Sequence, residues 1–347
     1  MSNYSKLKIL HHKGKMDSYE SGEITPPIHI RIKPTNTCNH SCKYCSYQNS
    51  YGQLGKDMKV QDKIPRAKMD EIVNDCAEMG VKAITFSGGG EPLMYPGLIN
   101  VLANCHNKGI STAILTNGVM LKDDLLMVAM NTCSWIRISM DGWSPESYTR
   151  YRGCDPEDFN TLMNNIEAAG KIESKCVLGV NIIVDKENAF HLYDIVKRVY
   201  DLGVKSIKIS PCIVSNDGKK NNEVHFKIRS VVQTQLDRIA DEGIEVYDSY
   251  HHQLGSFKKD YGWCPYIQAL PIIGADQNVY SCQDKAYNKD EGMIGSIKDK
   301  SLKEFWFDGK EKFYKINPSI DCNHHCMTDQ TNKMLFEYLT VGHPEFV

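Results

Sequence analysis

The chain has 347 residues, with 41 Lys plus Arg against 43 Asp plus Glu and a formal net charge of −2. That balance gives no reason to expect nucleic acid as a partner, and no apolar run is long enough to span a bilayer, so no membrane is expected either. At 41% hydrophobic and 24% charged, it reads as a globular chain able to bury one large or two modest cores. Its 13 cysteines, with no apolar signal core near Met1, argue for reduced thiols and metal ligation in a cytoplasmic setting rather than a disulfide framework.

Residues 1–26 are a polar, basic arm carrying Lys6, Lys8, His11, His12, Lys13 and Lys15, and Pro26-Pro27 leads into a first strand over 28–33. Directly after it comes Cys38-Asn39-His40-Ser41-Cys42-Lys43-Tyr44-Cys45, a C-x3-C-x2-C spacing. Three thiols on one loop can converge on one metal centre. With no fourth ligand nearby, one coordination position stays open. Thiolates favour an iron–sulfur cluster with one unprotected iron. A zinc site completed from afar, or three unrelated buried thiols, are the other readings.

From there the chain alternates. Strands are expected over 28–33, 83–87, 111–116, 134–140, 177–184 and 206–211, and helices near 66–79, 97–108, 122–131, 156–170, 189–202 and 222–242. Six such units imply an α/β fold with a parallel sheet and helices outside, either flat and doubly wound or an incomplete barrel. In barrels, chemistry collects at the carboxyl ends of strands. There lie Ser87-Gly88-Gly89-Gly90-Glu91-Pro92, whose glycines let a ligand reach the backbone and whose Glu91 suits an ammonium. There too lie Thr116-Asn117-Gly118, a turn that places Asn117 by the presumed site, and Arg137-Ile138-Ser139-Met140-Asp141-Gly142. Cys212 ends the sixth strand, as a thiol facing a substrate or as a small buried hydrophobe. Cys76, Cys105, Cys133, Cys154 and Cys176 read as packing residues. Asn216–Asn222 is a polar boundary loop. Late in the chain, Cys264 and Cys282 flank a hairpin-like stretch and Cys322 and Cys326 follow. Four thiols can hold a zinc ion or a second cluster.

The trio with Tyr44 before its third cysteine resembles the radical S-adenosylmethionine (radical SAM) superfamily, over roughly residues 28–326. The resemblance implies a partial (β/α)6 TIM barrel over 27–220, a connecting helix and linker over 221–255, and a small twitch or shortened SPASM domain over 256–347. It implies two [4Fe–4S] clusters, the first on Cys38, Cys42 and Cys45 and the auxiliary one on Cys264, Cys282, Cys322 and Cys326. The last pair is spaced x3 where x2 is usual, which leaves His324 and His325 as alternatives to Cys326. SAM would be held by Tyr44, by Gly89, Gly90 and Glu91 at its amino group, by Asn117 and Ser139, and by Arg152 at its carboxylate, Arg152 preferred to Arg150 for the glycine that follows it.

The implied chemistry is reductive SAM cleavage, with electrons from a flavodoxin- or ferredoxin-type donor, and hydrogen abstraction by a 5′-deoxyadenosyl radical. The expected reaction is two-electron oxidation of a small carbohydrate-like molecule, such as a sugar, nucleotide sugar or aminocyclitol. Alternatives are epimerisation with Cys212 returning a hydrogen, and maturation of a ribosomal peptide, against which the short N-terminal arm speaks. A non-enzymatic zinc-binding interaction protein is the fourth reading.

Overall fold

A computed structural model describes residues 4–47, 55–215, 217–255 and 257–342; Asn216 of the boundary loop lies outside the described residues. Among these described residues ten strands form one open sheet. They are β1 His29–Ile32, β2 Ala83–Phe86, β3 Ser111–Thr116, β4 Cys133–Ser139, β5 Val177–Val184, β6 Ser206–Pro211, β7 Val246–Asp248, β8 Ile272–Ile273, β9 Asn278–Tyr280 and β10 Met293–Ser296. Their order is β10-β9-β8-β1-β2-β3-β4-β5-β6-β7. β1 to β6 are parallel in sequence order, which is the expected partial barrel.

The segments outside the barrel extend the same sheet. β7, from the stretch expected only to connect, adds in parallel to β6. β8 adds in parallel to β1 and turns back as the expected hairpin with β9. Two-residue β8 is too short to show a period of its own, so its pairing with β1 was invisible in the sequence.

Strand residues alternate between two environments. Ile30, Ile32, Ile84, Phe86, Ile114, Ile136, Ile138, Val180, Ile182, Ile207 and Ile209 are buried in the main apolar core. The helices Arg66–Met79, Leu98–Asn107, Asp123–Thr132, Glu157–Gly170 and Leu192–Asp201 return the chain between strands and bury their own apolar stripes in the same core. The other face carries Arg31, Lys33, Thr85, Ser87, Arg137, Ser139, Asn181 and Lys208, a polar lining for the half-barrel.

The helix expected over 222–242 is two helices, Gly218–Phe226 and Arg229–Asp241. The Asp217 side chain accepts from Lys219 N at 2.8 Å and starts the first one early. His225, held to the Cys212 carbonyl at 2.8 Å, fixes its end, and buried Ile228 turns into the core at the break. Helix Pro145–Arg152 was not expected. Ser144 before Pro145 is its signal, an N-cap serine with proline at the first turn.

Candidate active site

At the carboxyl ends of the barrel strands lies a cavity of about 430 Å³. Cys38, Cys42, Tyr44 and Cys45 border it from the loop after β1, Gly88 to Glu91 from the loop after β2, and Asn117 from the end of β3. Ser139 stands at the end of β4, Arg152 at the end of helix Pro145–Arg152, and Cys212 after β6. Every site residue expected from the first two thirds of the chain therefore faces one space.

The cysteine loop is pinned by a helix end. Ser41 N donates to Arg152 O at 2.9 Å and Lys43 N to Tyr151 O at 3.0 Å, so orphan carbonyls of the last helical turn hold the loop. Gly153 follows with φ +55°, and a Cβ there would lie 2.5 Å from Ser41 O. Gly153→Ala is expected to cost about 1–3 kcal/mol of stability, through the left-handed backbone and that clash. Urea unfolding checks this, with a matching fall in iron bound after reconstitution.

The trio's chemistry fits a cluster better than a single ion. A tetrahedral zinc ion with Zn–S of about 2.3 Å would hold its sulfurs roughly 3.8 Å apart. Among the described residues the trio is not a set whose ligand atoms all lie within 4.8 Å of one another, and neither are the four late cysteines. A cube whose thiolates bind different irons spreads them wider. Burial pushes the Cys38 thiol up to about 12 and raises Cys42, opposed at Cys42 by Arg152, whose Nη1 lies 3.7 Å from its sulfur. Metal uptake here would release protons.

Arg152 is itself clamped. Its Nη2 donates to Asp141 Oδ2 at 2.5 Å, and Asp141, fully buried, also accepts from Tyr44 OH and from Ile183 N at 2.6 Å. Arg150 instead stands at the surface, 3.3 Å from Glu187. Tyr44 thus ties the cysteine loop to the β4 end.

The glycine loop is folded against the base of the cysteine loop. A Cβ on Gly89 would strike Asn36 Oδ1, and one on Gly90 would strike the backbone of Asn36 and Thr37. Glu91, 3% exposed, accepts from Thr116 Oγ1 at 2.6 Å, Asn117 N at 2.8 Å and Leu93 N at 3.0 Å. Burial raises its pKa, and these donors oppose the rise. Asn117 Nδ2 donates to Asn39 Oδ1 at 2.7 Å, joining the β3 end to the cysteine loop. Ser87 Oγ and Arg152 Nε are buried with no partner in the protein. The glycine cradle, the carboxylate and these two orphaned groups fit an amino-acid-bearing ligand beside the trio.

After β6, Cys212 is 5% exposed, and burial pushes its thiol up to about 12, so the sulfur keeps its hydrogen. Gln283 and Asp284, immediately after Cys282, close the cavity from the C-terminal segment. Cys264, Cys282, Cys322 and Cys326 lie within electrostatic reach of one another. Asn332 Nδ2 is 3.2 Å from the Cys264 sulfur, and Thr328 Oγ1 is 3.2 Å from that of Cys326. Of the two alternative ligands, His325 is turned away, its Nε2 on Asn222 Oδ1 at 3.0 Å. His324 stays in reach, grouped with Asp284 and Cys326 within 4.8 Å. Cys154, expected only to pack, sits with His40 and Asp158 in a similar group.

Sequence reasoning missed Asp141, Asn39, Gln283 and Asp284 as site residues. Asp141 stands in the Ser139-Met140-Asp141-Gly142 run and could have been found there. Gln283 and Asp284 gave no signal, because contacts distant in sequence, the β8–β1 pairing among them, bring them to the cavity.

A family model described as the radical SAM superfamily matches residues 32–199. The probable GTP 3',8-cyclase of Methanosarcina acetivorans is 29% identical over 144 residues, 40% of this chain and 41% of that protein. The chain spans from 41% to 64% of the length of four GTP 3',8-cyclases that it matches. The PqqA peptide cyclase of Xanthomonas oryzae pv. oryzae is 21% identical over 298 residues, 82% of this chain and 75% of that one. The crystal structure of Streptococcus suis SuiB bound to precursor peptide SuiA shares the fold, with TM-score 0.64 at 15% identity over 88% of this chain and 71% of that one. Residues 32–199, a little under half of the chain, carry the match to the radical SAM superfamily, whose cofactors are S-adenosylmethionine and a [4Fe–4S] cluster.

Proposed function

We propose that this radical SAM enzyme modifies a peptide by hydrogen abstraction from one of its carbons, in the cavity that Cys38, Cys42 and Cys45 border. The observation that carries the reading is the wall of Gln283 and Asp284 beside Cys282, facing Cys38, Cys42 and Cys45 across one space. The peptide class rests on breadth of similarity. Relatives named for cyclising GTP align with 40% to 61% of this chain, whereas the PqqA peptide cyclase of Xanthomonas oryzae pv. oryzae aligns with 82%, a breadth matched at 83% by the tungsten-containing aldehyde ferredoxin oxidoreductase cofactor-modifying protein of Pyrococcus furiosus. The carbohydrate-like substrate expected from the sequence has no such support.

Cys38, Cys42 and Cys45 would hold the cluster, leaving one iron for SAM. Bound there, SAM and the cluster supply a carbon-centred oxidant strong enough for an unactivated C–H bond. The chain's own residues do the rest. Glu91 and the Gly89-Gly90 backbone would take the ammonium end of SAM, and Arg152 its carboxylate. Tyr44, Asn117 and Ser139 would complete the pocket, and the cavity walls keep water from the reacting carbon. Cys264, Cys282, Cys322 and Cys326 would hold a second cluster, its potential tuned by Asn332 and Thr328. In this division 27–220 carries the SAM site and 256–347 the auxiliary one. No helix among the described residues is long and apolar enough to cross a membrane, and we place the enzyme in the cytoplasm.

The test is anaerobic incubation of the reconstituted protein with SAM, a reductant and peptides encoded beside its gene. Expected is one 5′-deoxyadenosine per modified peptide, read by mass spectrometry. Turnover of sugars but no peptide would overturn the peptide class.

Cys212 favours a second outcome on the same substrate. A buried thiol that keeps its hydrogen and borders the cavity can return that hydrogen to a carbon from the opposite face, giving epimerisation. If so, Cys212→Ala should lower epimerised product by more than tenfold while SAM cleavage persists, and solvent deuterium should enter the product of the wild type. Unchanged product from the variant would leave Cys212 a packing residue.

A further inference from the structure

The inside of the half-barrel is polar where barrels normally pack branched apolar side chains. Below the catalytic cavity lies a second chamber of about 430 Å³, and Arg31 and Leu115 border both. Arg31 of β1 and Arg137 of β4 line it. Lys208 of β6 is buried beside them, its ammonium 5.9 Å from the ring centres of Tyr4 and Tyr247. Among the described residues no carboxylate lines this chamber. Asp284, which acts on Arg31 from the upper cavity, is shared with Lys33, Lys259 and Lys285.

The hydrogen bonds are as incomplete as the charges. Arg137 gives Nη2 to Tyr4 OH at 2.9 Å and Arg31 gives Nη1 to Gln283 Oε1 at 3.0 Å, yet both Nε atoms are buried with no partner. Burial, with Arg137 and Arg31 adding to it, brings the Lys208 ammonium down to about 7. Arg31 and Arg137 are half-buried, and Arg137 lies over the Tyr4 and Trp135 rings at 5.0 and 4.9 Å, yet like charges held this close with no carboxylate between them repel, and an anion among them removes that cost.

We propose that this chamber binds an oxyanion, a phosphate or carboxylate group, between Arg31, Arg137 and Lys208. Two guanidinium forks suit planar and tetrahedral oxyanions alike. The group has two possible sources, a free ion or the acidic arm of a substrate whose reacting carbon sits above, past Arg31. The site does not depend on the peptide reading.

The test is calorimetric titration of the reconstituted full chain with inorganic phosphate, with thermal unfolding alongside. Saturable binding and a rise in Tm are expected, with affinity at least tenfold weaker in Arg137→Gln. Should that variant fail to fold, Lys208→Met reads the same loss, and without phosphate it should unfold no earlier than wild type because it removes a like charge. A short acidic peptide that binds more tightly than its C-terminal amide, and competes with phosphate, identifies the substrate's own carboxylate as the anion. Phosphate binding untouched by that peptide identifies a free ion. No saturable binding of phosphate or the acidic peptide to the wild type, or equal phosphate affinity in both variants, overturns the proposal.

Discussion

A variant with Cys38, Cys42 and Cys45 all replaced by alanine is expected to release no 5′-deoxyadenosine from SAM above the reagent blank. Its iron should fall from about eight to about four per chain, because the late thiols keep their own cluster. The reason is local. The three sulfurs sit on a loop held by two backbone bonds to the end of helix Pro145–Arg152, and the cavity they border holds the glycine cradle and Glu91. No other thiol set of the described residues stands there to take over. Cys212 is a single thiol after β6, and the late four belong to another segment. Since Cys38, Cys42 and Cys45 are only half-buried and lie outside the main apolar core, their loss removes ligands without opening it. The variant should therefore unfold as cooperatively as wild type. Retained SAM cleavage would remove the cluster assignment. Loss of all iron would show that the two sites assemble as one unit.

The barrel and the first site were legible because short-range signals carried them. Alternation placed β1 to β6 within a residue or two, and each motif sat at a strand's carboxyl end, so the parallel topology alone brought Cys38, Glu91, Asn117, Ser139 and Cys212 together. What stayed hidden depends on contacts distant in sequence. The pairing of β8 with β1 joins residues some 240 apart, and with it Gln283 and Asp284 reach the cavity, where Arg31 and Lys33 hold Gln283. The break at Lys227–Ile228 is set by His225 reaching the Cys212 carbonyl, which no helical periodicity shows. Arg152 was legible as a residue of the site but not as one half of a buried pair, since Asp141 lies eleven positions earlier and beyond the strand end.

That pair sets the second large effect. Asp141→Asn should lower unfolding free energy by about 3–5 kcal/mol, the cost of leaving one charge of a buried pair alone. Asp141 is fully buried and Arg152 is 4% exposed, so water cannot replace the lost partner. The amide keeps the size of the side chain but offers one acceptor where Arg152, Tyr44 and Ile183 N now share two. Because Tyr44 and Cys42 both lean on this cluster, reconstituted iron at the first site should fall with stability. Adding Arg152→Met removes the stranded guanidinium and should return most of the lost stability, as neutral replacements of buried pairs do. The double variant also separates the two roles of Arg152. If the guanidinium only positions the cysteine loop, SAM should bind the stable double variant nearly as before. If it also takes the SAM carboxylate, SAM affinity should fall at least tenfold although iron and fold have recovered. Wild-type stability in Asp141→Asn alone would show that the pair carries no such strain, and the account of how the cysteine loop is held would fall with it.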